Sequence, residues 1–307
     1  MRLLVTGASG LLGSNVILAA REDHDLLAVS GSRPVRPRGT QSCQADLSRP
    51  GEASELFRQF RPEAVIHCAA WADVDACEAD PEKARRLNAE MAGLVAEAAR
   101  ACRARLVHIS TDAVFDGEGG PYSEADAPDP VNVYGRTKWE GEQAVSGTLP
   151  EAAVVRTNLY GWSPVGAGLL EWFLRKLEKG EAAPGWTDVL FSPQPAAALA
   201  HDLIHIAAAS LHGVVHLFGA DCVSKFEFGR RLAATFGLDP ELVVPTACEA
   251  AGLPARRPGR LCLSSDRRGE MPAVVPVGLR QGLESLLRLR QAGYREALRE
   301  LTAAAEA

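Results

Sequence analysis

Three glycines at positions 7, 10 and 13 of "LLVTGASGLLGSN" constrain the fold of this chain more than any other feature. Residues 2–6 (RLLVT) form an apolar run of strand length, and 11–20 form an apolar stretch of helix length. A G-x-x-G-x-x-G pattern between them suits a tight turn. It brings backbone N–H groups up to a pyrophosphate, and the helix N-terminus adds partial positive charge. Gly13 lets helix and strand pack closely. Gly7, Ser9, Gly10, Leu11 and Leu12 are therefore the first candidates for contact with a dinucleotide.

The same alternation continues along the chain. Strands are expected at 26–30, 41–45, 64–69, 104–110, 152–157 and 214–218. Helices are expected at 50–60, 81–100, 134–146, 167–179, 195–210, 224–236, 281–290 and 293–305. Strands alternating with helices predict an α/β fold, a Rossmann-type doubly wound parallel sheet. Gly/Pro-rich pieces at 161–166, 184–195 and 252–260 interrupt the pattern. They predict a smaller, partly interleaved C-terminal substrate-binding region. The expected division is a dinucleotide-binding domain over 1–160, completed near 195–218, with 161–194 and 219–307 mainly for substrate.

After the second strand, "SGSRPVRPR" has no carboxylate to hold a ribose diol but has Ser32 and Arg33. That favours a 2'-phosphate, hence NADPH, with NADH left open. Asp46 and Leu47, past the third strand, are placed to meet the adenine. Ala69 and Ala70, past the fourth, leave room for cofactor.

The chemistry is expected from Thr111, Tyr134 and Lys138. Tyr134 and Lys138 are four residues apart, so they share one helix face, and both are also candidates for contact with the cofactor, Lys138 at the nicotinamide ribose. An ammonium beside a phenol lowers the phenol pKa towards a useful range, and a hydroxyl at the end of the fifth strand can hold a carbonyl oxygen.

Length, composition and charge remove other classes. The chain has 307 residues, 47% of them hydrophobic, with a net charge of -6. No broad basic field invites nucleic acid or an acidic membrane. No apolar run is long enough to span a bilayer. Seven scattered cysteines without a C-x-x-C read as free thiols of a reducing cytoplasm, and no metal site is expected. His67 and His108 read as core histidines, and His201 and His205 lack a third ligand. Asp73, Asp75 and Glu78 read as helix-start carboxylates. Arg156 and Arg257 are candidates for a diphosphate clamp, and Asn88 for a water-positioning or helix-packing role. The Ala-rich helices 81–100 and 136–146 leave a homodimer open.

The glycine pattern, "CAAWADVDACEADP", "LNA" and "YGRTK" occur in the order of the extended short-chain dehydrogenase/reductase superfamily, which residues 1–160 resemble. The stretch "STDAVFDGEGGPYSEADAPDPVNVYGRTKWEGE" resembles the dTDP-4-dehydrorhamnose reductase family in particular. That resemblance implies reduction of the 4-keto group of a nucleotide-linked 6-deoxyhexulose by NADPH or NADH. Thr111, Tyr134 and Lys138 would be its triad, with Tyr134 the proton donor. Trp71, Thr111, Val114, Asn158, Trp162 and Trp186 are the residues expected near the sugar nucleotide. Ala72, Ala113 and Asn158 depart from the family pattern beside that pocket. The same superfamily includes nucleotide-sugar epimerases and dehydratases with bound NAD. It also includes a dinucleotide-binding regulatory subunit of methionine adenosyltransferase, and both remain alternatives.

Overall fold

The computed structural model describes residues 1–209 and 211–302. Seven strands form one parallel sheet: β1 (Arg2–Thr6), β2 (Asp25–Ser30), β3 (Gln41–Gln44), β4 (Ala64–His67), β5 (Arg105–Ile109), β6 (Ala153–Thr157) and β7 (Gly213–Leu217). Their order across the sheet is β7-β6-β5-β4-β1-β2-β3. This is a doubly wound Rossmann-type sheet. The chain order reverses between β1 and β4, which pair in register Val5 to Ile66 and Thr6 to His67. Ligands of such sheets bind where the order reverses, outside the carboxyl ends of the strands.

The strands are apolar on both faces because helices cover both. Leu3, Val5, Ile66, Val107, Val155 and Val215 point into one core. Their neighbours Leu4, Val65, Leu106 and Val154 point into the other, as the two-residue strand period demands. The first core runs without a break into the C-terminal region, where it takes in Trp162, Phe173, Phe191, Phe228 and Leu283.

That region is built from short pieces. Val223–Ser224 and Arg260–Leu261 flank Leu190–Phe191 in a three-stranded sheet, and Val243–Thr246 pairs with Ala183–Trp186. The helices Leu169–Leu177, Lys225–Thr235, Leu279–Gln291 and Tyr294–Thr302 pack around them. The final helix expected over 293–305 is described as far as Thr302. Residues 303–305, and position 210 of the helix expected over 195–210, lie outside the described residues.

Two expectations change. The helix expected over 81–100 is interrupted by a wider π turn at Arg86–Glu90, between Pro81–Arg85 and Met91–Cys102. Asn88 sits in that turn, and its side chain bonds the Trp71 main chain at 2.7 and 3.1 Å and the Thr137 hydroxyl at 3.1 Å. It acts as a packing bolt between the loop after β4 and the Val133–Thr148 helix. The cysteines are also not all free. Cys222 and Cys262 form a disulfide, Cα to Cα 5.5 Å. They lie beside the two outer strands of the three-stranded sheet, whose pairing brings together residues distant in sequence. The argument from free thiols to a reducing compartment therefore falls. Cys43, Cys68, Cys77, Cys102 and Cys248 are free. Among the described residues no helix is long and apolar enough to cross a membrane.

Candidate active site

The glycine turn closes on the switch point of the sheet. Gly7 has φ of 67°, and a Cβ there would lie 2.7 Å from the Ala69 nitrogen. The Gly10 N–H donates to the Gly7 carbonyl at 2.9 Å, turning the chain into the Leu11–Ala20 helix. No side chain caps that helix, so its first N–H groups are left for a ligand. A Cβ on Gly13 would stand 2.2 Å from the Gly7 oxygen, so the helix can approach the turn only with glycine there.

A groove of about 670 Å³ opens over this turn, a size suited to a cofactor. Gly7, Ser9, Gly10, Ser32, Asp46, Leu47, Ala69, Ala70 and Trp71 line it. Five of the expected cofactor residues do not line it; Tyr134 and Lys138 stand beside it. Arg33 is exposed beyond Ser32, Leu11 is half-buried, and Leu12 is packed in the core, because a helix turns successive side chains to different sides. The Asp46 carboxylate is held below its usual range, first by the Ser48 hydroxyl at 2.6 Å. Lys83 also borders the groove, its ammonium 4.2 Å from the centre of the Trp71 ring.

The catalytic candidates converge beside the groove. Thr111 follows β5 and caps the next turn: its hydroxyl accepts from the Ala113 N–H and donates to the Asp112 carboxylate, each at 3.1 Å. The Val133–Thr148 helix starts at Asn132, whose side chain accepts from the Gly135 N–H at 2.8 Å. Tyr134 lies in its first turn, close enough to Thr111 for that hydroxyl to bear on the phenol. One turn on, the buried Lys138 ammonium donates to the Ile109 carbonyl at 2.6 Å.

The electrostatics differ from the expectation. Burial pushes the Tyr134 phenol up to about 12, and the Thr111 hydrogen bond opposes this only in part. Burial also lowers Lys138 to about 8, against the pull of Glu142 and Cys68. The ammonium is engaged by a strand-end carbonyl, and desolvation outweighs any lowering of the phenol. Tyr134 therefore keeps its proton at neutral pH.

The other candidates separate. Asn158 reaches the site and donates to Asp112 at 2.7 Å. Val114 is buried in a small cluster with Phe115 and Tyr122. Trp186 is half-buried at the end of its strand. Trp162 is wholly buried, and its indole N–H donates to the Leu286 carbonyl at 3.0 Å, so it belongs to the core and not to a sugar pocket. Neither arginine is free to clamp a diphosphate. Arg156 pairs with Glu142 at 2.7 Å and Arg257 with Asp75 at 2.7 Å. Asp73 accepts from the Ala76 N–H as a helix cap, and Glu78 accepts from the Val133 N–H. His67 and His108 stack at 5.3 Å in the core and are held neutral, first by burial.

The model of the RmlD substrate binding domain family matches residues 1–291. The chain belongs to the RmlD family. Among curated RmlD relatives it is 37% identical over 287 residues to the dTDP-4-dehydrorhamnose reductase of Mycobacterium tuberculosis, covering 90% of this chain and 88% of that one. It is 34% identical over 285 residues to the probable low-salt glycan biosynthesis reductase Agl14 of Haloferax volcanii, covering 90% and 94%. A solved dTDP-4-dehydrorhamnose reductase from Bacillus anthracis, in complex with NADP, superposes with a TM-score of 0.83 at 28% identity, covering 94% of this chain and 98% of that one.

Two residues of this RmlD-family site escaped the sequence reading. The buried Asp112 carboxyl is pushed up to about 6 by burial, opposed by Asn158, Lys225 and Thr111. Lys225 comes from the C-terminal region, with its ammonium 3.2 Å from the centre of the Phe191 ring. Burial lowers it to about 8, and Asp112 opposes that. Asp112 adjoins Thr111, and that adjacency was an available signal. Nothing local in the sequence places Lys225 near either.

Proposed function

We propose that this RmlD-family protein is an NAD(P)H-dependent reductase. Its substrate is the 4-keto group of a nucleotide-linked 6-deoxyhexulose, as for dTDP-4-dehydrorhamnose. The observation that carries this reading is Tyr134 and Lys138 on one face of a helix that Lys138 bonds to the strand end bearing Thr111, beside the glycine-lined groove.

The groove fits a dinucleotide. The Gly7 cradle leaves no room for a Cβ, and the uncapped helix start offers N–H groups to a pyrophosphate. Ser32 borders the ribose end and no carboxylate stands at the end of β2, which favours NADPH. A reduced nicotinamide bound there would supply the hydride. Thr111 turns its hydroxyl hydrogen from Asp112 to the carbonyl oxygen, and Tyr134 gives that oxygen its proton. A phenol held near 12 is a weak acid, yet it is fully protonated when the oxygen needs the proton. Lys138 fixes the Tyr134 helix to the β5 end and brings positive charge close to the developing oxyanion.

The test is NADPH consumption with dTDP-4-keto-6-deoxyhexulose, with products identified by mass. The expected result is stoichiometric cofactor oxidation with a two-hydrogen gain in the sugar. Interconversion of two sugars without net redox change would make the protein an epimerase, and absence of turnover with every sugar nucleotide would overturn the enzyme reading.

A further inference from the structure

Glu142 lies one helical turn beyond Lys138 and two beyond Tyr134, on the same buried face of the Val133–Thr148 helix. It is 4% exposed. One carboxylate oxygen accepts from the Ser110 hydroxyl at 2.5 Å and from Arg156 Nε at 3.0 Å, and the other accepts from Arg156 Nη2 at 2.7 Å. Ser110 stands between Ile109, whose carbonyl holds Lys138, and Thr111. Arg156, from β6, is as buried as its partner. One carboxylate thus joins the catalytic helix to two adjacent strands.

A buried ion pair is a poor device for stability alone, since apolar residues of similar volume often serve as well. Here the pair adjoins a buried ammonium that needs a counter-charge. The other titratable groups facing Lys138 supply none at neutral pH. His67 on β4 and His108 on β5 are neutral, and burial pushes the Cys68 thiol up to about 12. Tyr134 on the same helix keeps its proton. Glu142 is the carboxylate that draws on Lys138 among the described residues.

We propose that Glu142 is a positioning residue that keeps Lys138 cationic and ties the Ser110–Thr111 strand end to the Tyr134 helix. The role of Lys138 in turnover rests on the reductase reading, whereas its charge state can be measured without turnover. The chain has five lysines, Lys83, Lys138, Lys176, Lys179 and Lys225. Labelling their ε-carbons with ¹³C gives a small set of NMR signals, and Lys138→Met assigns the relevant one.

In Glu142→Gln the Lys138 titration midpoint falls by about one pH unit or more. The basic limb of the reductase pH profile moves down with it, because the cation is lost at lower pH. A stability role alone would lower the melting temperature and leave both midpoints unmoved. If Glu142→Gln does not fold, the pair Glu142→Gln/Arg156→Met removes both charges and leaves neither unpaired; the Lys138 midpoint then falls by less, because a cation leaves with the carboxylate. An unchanged Lys138 midpoint in either folded variant overturns the proposal. A shifted midpoint in a protein that reduces no sugar nucleotide overturns the reductase reading instead.

Discussion

The Lys138 ammonium donates to the main-chain carbonyl of Ile109 at 2.6 Å. Ile109 ends β5 and precedes Thr111 by two residues, while Lys138 follows Tyr134 by one helical turn. That bond ties the helix of Tyr134 to the strand end that bears Thr111.

Replacing Tyr134 by Phe keeps the ring packed beside Cys77, Ala84 and Val133 and removes only the hydroxyl. Turnover is expected to fall about 10²- to 10⁴-fold, the usual worth of a positioned general acid. Dinucleotide affinity, measured by fluorescence titration, should stay close to wild type. Full activity in this variant would remove Tyr134 from the mechanism.

Gly13→Ala puts a Cβ 2.2 Å from the Gly7 carbonyl oxygen, against backbone that forms the cofactor turn. The expected result is a loss of about 1–3 kcal/mol in stability together with weaker dinucleotide binding. Gly147→Ala is the control. It is helical and meets nothing within 4 Å, so it should be neutral or stabilising by up to about 1 kcal/mol. Melting curves with and without NADP compare the two.

Asp112 gives a pH signature. Its carboxyl is raised in the folded state to about 6 from an ordinary 3.8, first by burial. The fold therefore binds that proton more tightly than the unfolded chain. The resulting stabilisation is fully present below the unfolded pKa and is lost as pH rises through the folded one. Asp112→Asn lacks this dependence, so its stability relative to wild type should rise between about pH 4 and pH 7. A difference that stays constant over that window would contradict the assignment.

Cutting the Cys222–Cys262 bond frees a loop spanning 40 residues. Chain entropy predicts a cost of about 4 kcal/mol. Cys222→Ser, or wild type held in reductant, should melt well below the oxidised protein. Coincident melting curves would show that the cross-link is not formed in solution.

Much of the site was legible because its signals are local. A strand, a glycine turn and a helix within one short stretch dictate a nucleotide cradle through backbone sterics alone. The four-residue spacing of Tyr134 and Lys138 dictates a shared face once the helix exists. Trp162 and Arg156 were misread for the opposite reason. An indole or a guanidinium near Gly and Pro looks ready for a ligand until its own partner is known. Those partners, Leu286 and Glu142, come from other parts of the fold.

By itself the sequence determined the parallel sheet, the glycine cradle and the identity of the three catalytic candidates, because period, turn sterics and helix spacing are short-range properties. Only the tertiary structure decided the charges. Burial raised Tyr134 and Asp112 and lowered Lys138 and Lys225. Packing brought Lys225 to Asp112, Glu142 to Arg156 and Cys222 to Cys262. Desolvation and through-space Coulomb interaction depend on what surrounds a group in three dimensions, and residues distant along the chain supply those surroundings.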